Sequence, residues 1–262
     1  MSDQTYEVYA IKYATREAKA HEHFHGSADP HENCPMPMDY FIWVAKSAQH
    51  AIVIDAGFNE EVARKRNRDF LRCPVEMLRE IGVKAEEVPS VIITHMHYDH
   101  IGNLPKFPHS TFVLQEAEMA FWTGKYVSRK AFKHLVEVED VLHLVKENFE
   151  GRIRFVSGNA EIVPGITVYQ AGGHSAGLQF VKVRTESGNV ILTSDVSHFY
   201  RNIEEDRPFS VVHDLASMYH AFDLVRSVSD PTSVLIPGHD PKVMERFPAA
   251  SAELDGIVAK IS

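Results

Sequence analysis

Residues 91–103, Val91-Ile92-Ile93-Thr94-His95-Met96-His97-Tyr98-Asp99-His100-Ile101-Gly102-Asn103, set His95, His97, Asp99 and His100 directly after a run of apolar and β-branched residues. Such a run has the composition of a short buried strand. Imidazoles left unpaired at the end of a buried strand are costly, and a metal ion satisfies them. Imidazole and carboxylate are ligands of first-row transition metals, and a strand end holds them rigidly. His95 and His97, two apart in extended chain, can project to one side. Asp99 and His100, past the turn, can reach a second ion. A merely polar loop in a chain with 16 histidines does not account for strand, spacing and Gly102 together.

The stretch resembles the H-x-H-x-D-H motif of the metallo-β-lactamase superfamily, which binds a two-metal site. That resemblance implies further ligands at the ends of later strands, and three candidates occur in the expected order. His174 follows the strand-like 166–170 within Gly172-Gly173-His174-Ser175-Ala176-Gly177, Asp195 ends 190–194, and His239 ends 234–238. The resemblance runs from about Ile52 to His239. It implies His95, His97 and His174 on a first metal, Asp99, His100 and His239 on a second, and Asp195 as the bridge between them. It also implies an α/β chain folded as an αββα sandwich, with the metals at one edge between two sheets. The ions would be divalent, zinc first, with manganese, iron or cobalt open because N/O ligands discriminate weakly. Such a pair would hold a bridging hydroxide near neutral pH for attack on an ester, lactone, amide or phosphodiester. By the same resemblance, Asp99 would also pass a proton to the leaving group.

Within the superfamily, Asp195 argues against true β-lactamases, which lack that carboxylate. His97 in place of Glu argues against the flavodiiron branch. Glyoxalase II shares the ligands but adds a basic C-terminal helical segment, and here only residues 240–262 follow His239. The tRNA-processing nucleases need a basic arm. The remaining resemblance is to the N-acyl homoserine lactone lactonases, which implies a quorum-quenching activity. A thioester or cyclic amide on the same site is the alternative. In those lactonases a Tyr stands three residues after the bridging Asp, and here His198 has that spacing. His198 is therefore a candidate catalytic donor to the substrate carbonyl. Its alternatives are a solvent-facing loop residue or a partner of Asp195.

These residues need elements to position them. A first strand is expected over 6–13, a strand pair over 40–45 and 51–55, and a helix over 60–71. Pro74 should open a helix to Ile81. Asp55 reads as an anchor for the ligand loop rather than a ligand. Another helix should begin near Gly102. A strand over 111–114 is followed by helical patterns at 115–122 and 136–149. That helical insertion near 115–150 would cover the metals, with Phe121 and Trp122 giving the substrate an apolar wall. From 152 onward strands dominate, with a hairpin turn at Gly188-Asn189, a helix over 214–228 and a last strand over 233–236. The loop 20–39, with His21, His23, His25 and His31, reads as a pocket rim rather than a second metal cluster. It would bring Met36, Met38 and Tyr40 to the substrate.

Composition bounds the rest. The 262 residues are expected to form one domain, and 44% hydrophobic with 24% charged residues suits a large soluble core. A net charge of −9 disfavours nucleic acid and anionic membranes as partners, and the resemblance implies a small-molecule substrate. No apolar run approaches membrane-spanning length, and Met1-Ser2-Asp3-Gln4-Thr5 lacks the pattern of a signal peptide. Cys34 and Cys73, outside any paired spacing, read as free thiols of a cytoplasmic protein. The sequence is compatible with a homodimer.

Overall fold

The computed structural model describes residues 4–26 and 33–262, so His31 lies outside the described residues. Strand β1 (Glu7–Arg16) pairs antiparallel with β2 (Met38–Lys46), and β2 pairs with β3 (Ala51–Ile54). Helix α1 (Glu60–Arg66) starts where the Asn59 side chain accepts from the Val62 amide at 3.0 Å. It ends at Asn67, whose φ of 53° breaks the helical repeat. The helix expected to reach Leu71 therefore stops at Arg66, and β4 (Asp69–Phe70) pairs with β1 instead.

A 3-10 helix over Glu76–Ile81 leads to β5 (Ser90–Ile92), which joins β3 in parallel. Helix α2 (Tyr98–Ile101) follows, and Gly102 ends it rather than beginning it. A Cβ at Gly102 would lie 2.9 Å from Phe58 Cα and 3.0 Å from Gly57 O, so only glycine admits this approach. Next come β6 (Thr111–Gln115), α3 (Glu116–Trp122), α4 (Lys130–Lys133), α5 (Val138–Phe149) and β7 (Ile153–Val156).

The second half contains β8 (Ala160–Val163), β9 (Ile166–Gln170), β10 (Gln179–Thr185) and β11 (Gly188–Ser194). Thr185 pairs with Gly188, so the hairpin turn is Glu186-Ser187, ahead of the expected Gly188-Asn189. Then follow α6 (Tyr200–Glu204), α7 (Leu215–Val228), β12 (Val234–Pro237), α8 (Lys242–Arg246) and β13 (Val258–Lys260). Helix α7 is capped by Asp214, which accepts from the Ser217 amide at 2.7 Å. One sheet runs β13-β1-β2-β3-β5-β6-β7 with β4 on β1, and the other runs β12-β11-β10-β9-β8.

The two sheets face each other. Phe41, Trp43, Ile52, Ile54 and Ile92 of the first pack with Val168, Val181, Leu192 and Ile236 of the second. Alternate residues of the same strands, such as Tyr40, Ile42 and Val53, face outward and pack with helical residues including Val62 and Leu144. On the outside of the second sheet, Phe180 and Ile191 meet Ala221, Phe222 and Val225 of α7. Strands buried on both faces need continuous apolar sequence, which is why β2 and β3 show no polar alternation. The result is the αββα sandwich expected from the sequence. No helix among the described residues is long and apolar enough to cross a membrane.

Candidate metal centre

The seven candidate ligands come from loops at one edge of both sheets. His95 lies just beyond β5, and His97 sits before the first turn of α2, which carries Asp99 and His100. His174 lies between β9 and β10, Asp195 directly follows β11, and His239 follows β12. All seven are buried.

They converge as two groups. His95 Nε2 and His174 Nε2 lie 2.9 and 3.0 Å from His97 Nδ1. Asp195 Oδ2 faces this group, 3.1 Å from His174 Nε2 and 3.7 Å from His95 Nε2. Its other oxygen, Oδ1, faces the second group, 3.1 Å from His239 Nε2 and 3.5 Å from His100 Nε2. Asp99 completes that group, 3.7 Å from His100 Nε2 and 3.8 Å from His239 Nε2.

Hydrogen bonds behind the rings settle which nitrogen points inward. His174 Nδ1 donates to Val211 O at 3.0 Å, and His239 Nδ1 donates to Asp39 O at 2.8 Å. His100 Nδ1 lies 2.7 Å from Asp55 Oδ2. Asp55 also accepts from the Thr94 amide and hydroxyl, both at 2.8 Å, so it anchors the ligand loop without being a ligand. Asp55 and Ser194 hold φ values of 63° and 47°, strained positions on either side of the cluster. A Cβ at Gly238 would stand 2.8 Å from Asp195 Oδ1, so glycine is required where β12 delivers His239.

The electrostatics suit a cation. Burial, and then the neighbouring imidazoles, hold His95 and His97 well below the usual histidine range, leaving neutral rings with inward lone pairs. Burial pushes Asp195 up, but His198, His239, His100 and His95 outweigh it and keep a carboxylate. His100 Nε2 is buried with no hydrogen-bond partner among the described residues, although it faces the centre. A tetrahedral zinc site separates its ligand atoms by roughly 3.3 Å, close to the spacings of the first group. The donor set therefore fits a metal pair: His95, His97 and His174 on one ion, and Asp99, His100 and His239 on the other, with Asp195 between.

A cleft of about 320 Å³ opens over Asp99, His97, His174, Asp195 and His198. A larger groove of about 740 Å³, by Tyr6 and Lys46, contains none of the ligands, so the chemistry points to the smaller one. Met38 and Tyr40 line the cleft, whereas Met36, Phe121 and Trp122 do not. Met36 packs against the core with its carbonyl 2.8 Å from His23 Nε2. Phe121 sits edge-on to His213 and Phe132. Trp122 turns inward, where its Nε1 donates to Glu118 at 2.7 Å and its ring meets His97. In place of Phe121 and Trp122, the cleft has Tyr98, Leu135, Phe209 and Val211, together with Arg16, Arg66, Arg68 and His134.

Sequence reasoning missed Glu118 of α3. Its Oε1 accepts from the Met96 amide at 2.9 Å and from Trp122 Nε1. Its Oε2 accepts from Ser175 Oγ at 3.0 Å and the Gly177 amide at 2.6 Å. One buried carboxylate thus ties the His95–His97 segment to the His174 loop. The only signal was positional: residues 118, 119 and 122 share the buried helical face.

His198 is 1% exposed, which rules out the solvent-facing alternative. Its Nε2 lies 3.0 Å from Asp195 Oδ2, and its ring stacks on Phe209 with centroids 3.4 Å apart. These contacts favour a positioning role through Asp195 over donation to substrate. His198→Ala is accordingly expected to weaken metal affinity by about 10–100-fold, with activity falling in step. Chelator competition and kinetics on the same variant check this. Lost turnover at full metal content would return His198 to the donor role.

The metallo-beta-lactamase superfamily profile matches residues 37–239. An N-acyl homoserine lactonase of Bacillus thuringiensis is 27% identical over 169 residues, covering 63% of this chain and 61% of the relative. The match thus spans under two thirds of that relative's length. The N-acyl homoserine lactonase of a Bacillus species is 24% identical over 235 residues, covering 84% of this chain and 88% of the relative. Among solved structures, an N-acyl homoserine lactone hydrolase with N-hexanoyl-L-homoserine bound at its catalytic metal centre superposes with a TM-score of 0.78. It is 19% identical, with 94% of this chain and 98% of that chain covered.

Proposed function

The chain belongs to the metallo-beta-lactamase superfamily, and from that membership and its paired ligand groups we propose that it is a metal-dependent lactonase. Its substrate in this reading is an N-acyl homoserine lactone or a related lactone, and its biological role is quorum quenching. The observation that carries the proposal is Asp195, whose two carboxylate oxygens face two separate clusters of inward-pointing nitrogens at the floor of a cleft. The relatives' activity on lactones supports the choice among hydrolases.

Residues 1–262 are read as one domain, with the helices between β6 and β7 as its insertion. Two divalent ions, zinc first, would supply Lewis acidity and a water acidified to near neutral pH. The protein's own contribution is positioning and proton transfer. Asp55, the Val211 carbonyl and the Asp39 carbonyl fix the ring orientations. The Tyr40 and Tyr98 hydroxyls, 3.3 Å apart on the cleft wall, are placed to hydrogen-bond the lactone. Asp99, also on the wall, is the group suited to carry a proton to the departing alkoxide once the ring opens.

The test is a panel of acyl homoserine lactones, a glutathione thioester and a phosphodiester, assayed on protein whose metal content is measured by elemental analysis. Lactones should be the best substrates by about tenfold or more, with about two equivalents of metal per chain. Faster turnover of the thioester would replace the lactone reading, and a stoichiometry near one would remove the paired-metal site.

A further inference from the structure

The cleft is more cationic than a neutral lactone requires. Three arginines line it, and two are already engaged. Arg16 pairs with Glu22 at 2.7 Å. Arg66 donates to Glu137, His134 O and Val136 O, and lies over the Tyr98 ring. Arg68 differs. Its Nε donates to the Tyr98 hydroxyl at 3.2 Å and its Nη1 to Arg66 O at 2.8 Å and Asn67 O at 3.4 Å, while its Nη2 has no hydrogen-bond partner among the described residues. No carboxylate among the described residues pairs with it, although it is half-buried.

Arg68 is therefore a guanidinium held in one orientation with no directly paired carboxylate among the described residues, although the Asp99 carboxylate, itself a candidate metal ligand, acts on its charge. Tyr98 holds the guanidinium on the wall of the cleft that Asp99 and Asp195 also line. Outside the cleft, a groove of about 490 Å³ is lined by Lys65, Arg66, Lys130, Lys133 and His134, of which Lys65 and Arg66 already pair with Glu137. It shares Arg66 and His134 with the cleft. In a chain of net charge −9, this concentration of positive charge at the mouth would draw in anions. A half-buried cation with no directly paired carboxylate gains from a ligand that supplies one.

We infer that the preferred lactone carries a carboxylate on its acyl arm, bound by Arg68 Nη2 and steered in by the lysines at the cleft mouth. A monoanion suits the site better than a dianion, since Arg68 offers one unengaged nitrogen and Glu22 and Asp99 also line the cleft. This deepens the lactone reading and relies on it for the choice of assay.

The decisive pair is N-succinyl- and N-butanoyl-L-homoserine lactone, whose acyl arms have the same carbon count and end in carboxylate or methyl. On the metal-loaded enzyme, kcat/KM should favour the succinyl compound by about 10–100-fold, the worth of one hydrogen bond to a charged group. Arg68→Met should bring the ratio close to one, and Arg68→Lys, which keeps the charge, should retain part of it. A wild-type ratio of one or less overturns the inference and leaves the lactonase standing, as does an undiminished ratio in Arg68→Met. If neither lactone turns over, the lactonase reading fails, and calorimetric titration with the monoanion monomethyl glutarate decides the anion site. Binding about tenfold weaker in Arg68→Met than in wild type upholds the site, whereas equal binding sinks it.

Discussion

Replacing Asp195 with alanine is expected to cut kcat/KM by at least the roughly 10²–10³-fold that follows loss of one oxyanion donor in other enzymes. Two effects act together. Oδ2 faces His95 and His174 while Oδ1 faces His100 and His239, so one substitution removes negative charge from both groups. Two dications would then face each other with no carboxylate between them, and repulsion at short range in a buried site is severe. Metal content should fall from about two equivalents toward one or less. Asp195→Asn is the informative companion, because it keeps the volume beside Gly238 and loses only the charge. Initial rates and elemental analysis on both variants provide the check. An alanine variant with full metal content and more than about a tenth of wild-type activity would show that Asp195 does not join the two groups.

The second large effect is expected at Glu118, which never touches a candidate ligand ring. Glu118→Ala would strand the Met96 and Gly177 amides, Ser175 Oγ and Trp122 Nε1. Each orphaned buried donor costs about 1–3 kcal/mol, so after some rehydration the loss should be on the order of 4 kcal/mol. For a chain of this size that corresponds to a fall in Tm of roughly 10 °C. Because the same carboxylate ties the His95–His97 segment to the His174 loop, metal affinity should drop about 10–100-fold as well. Glu118→Gln separates the two effects. It preserves the side-chain volume but turns an amide donor toward two of the four donors. Calorimetric unfolding of apo and metal-loaded protein reads both quantities. A Gln variant with wild-type Tm and metal affinity would reduce Glu118 to an ordinary buried polar residue.

What the sequence determined by itself was local or carried by strand ends. His95, His97, Asp99 and His100 lie so close in the chain that their convergence needs only a strand and one turn. His174, Asp195 and His239 were legible because each follows an apolar run, and resemblance supplied the reason to look there. The sandwich came from the resemblance, and the structure supplies the reason for the continuous apolar runs of β2 and β3, which are covered on both faces. Tertiary structure alone decided the surroundings. Arg68 looked like the end of a charged surface helix until Asn67 terminated α1 and β4 carried the chain back to β1, setting the guanidinium against Tyr98. Trp122 looked like a substrate wall, yet Glu118 drew its N–H inward, leaving the apolar wall to Tyr40, Tyr98, Leu135 and Phe209. Glu118 had only its place on the buried helical face to mark it, because its partners at 175 and 177 lie more than fifty positions away in sequence. The physical reason is range. Backbone geometry transmits spacing over a few residues, but whether a charge faces solvent, a ligand loop or a substrate depends on segments that meet only when the sheets pack.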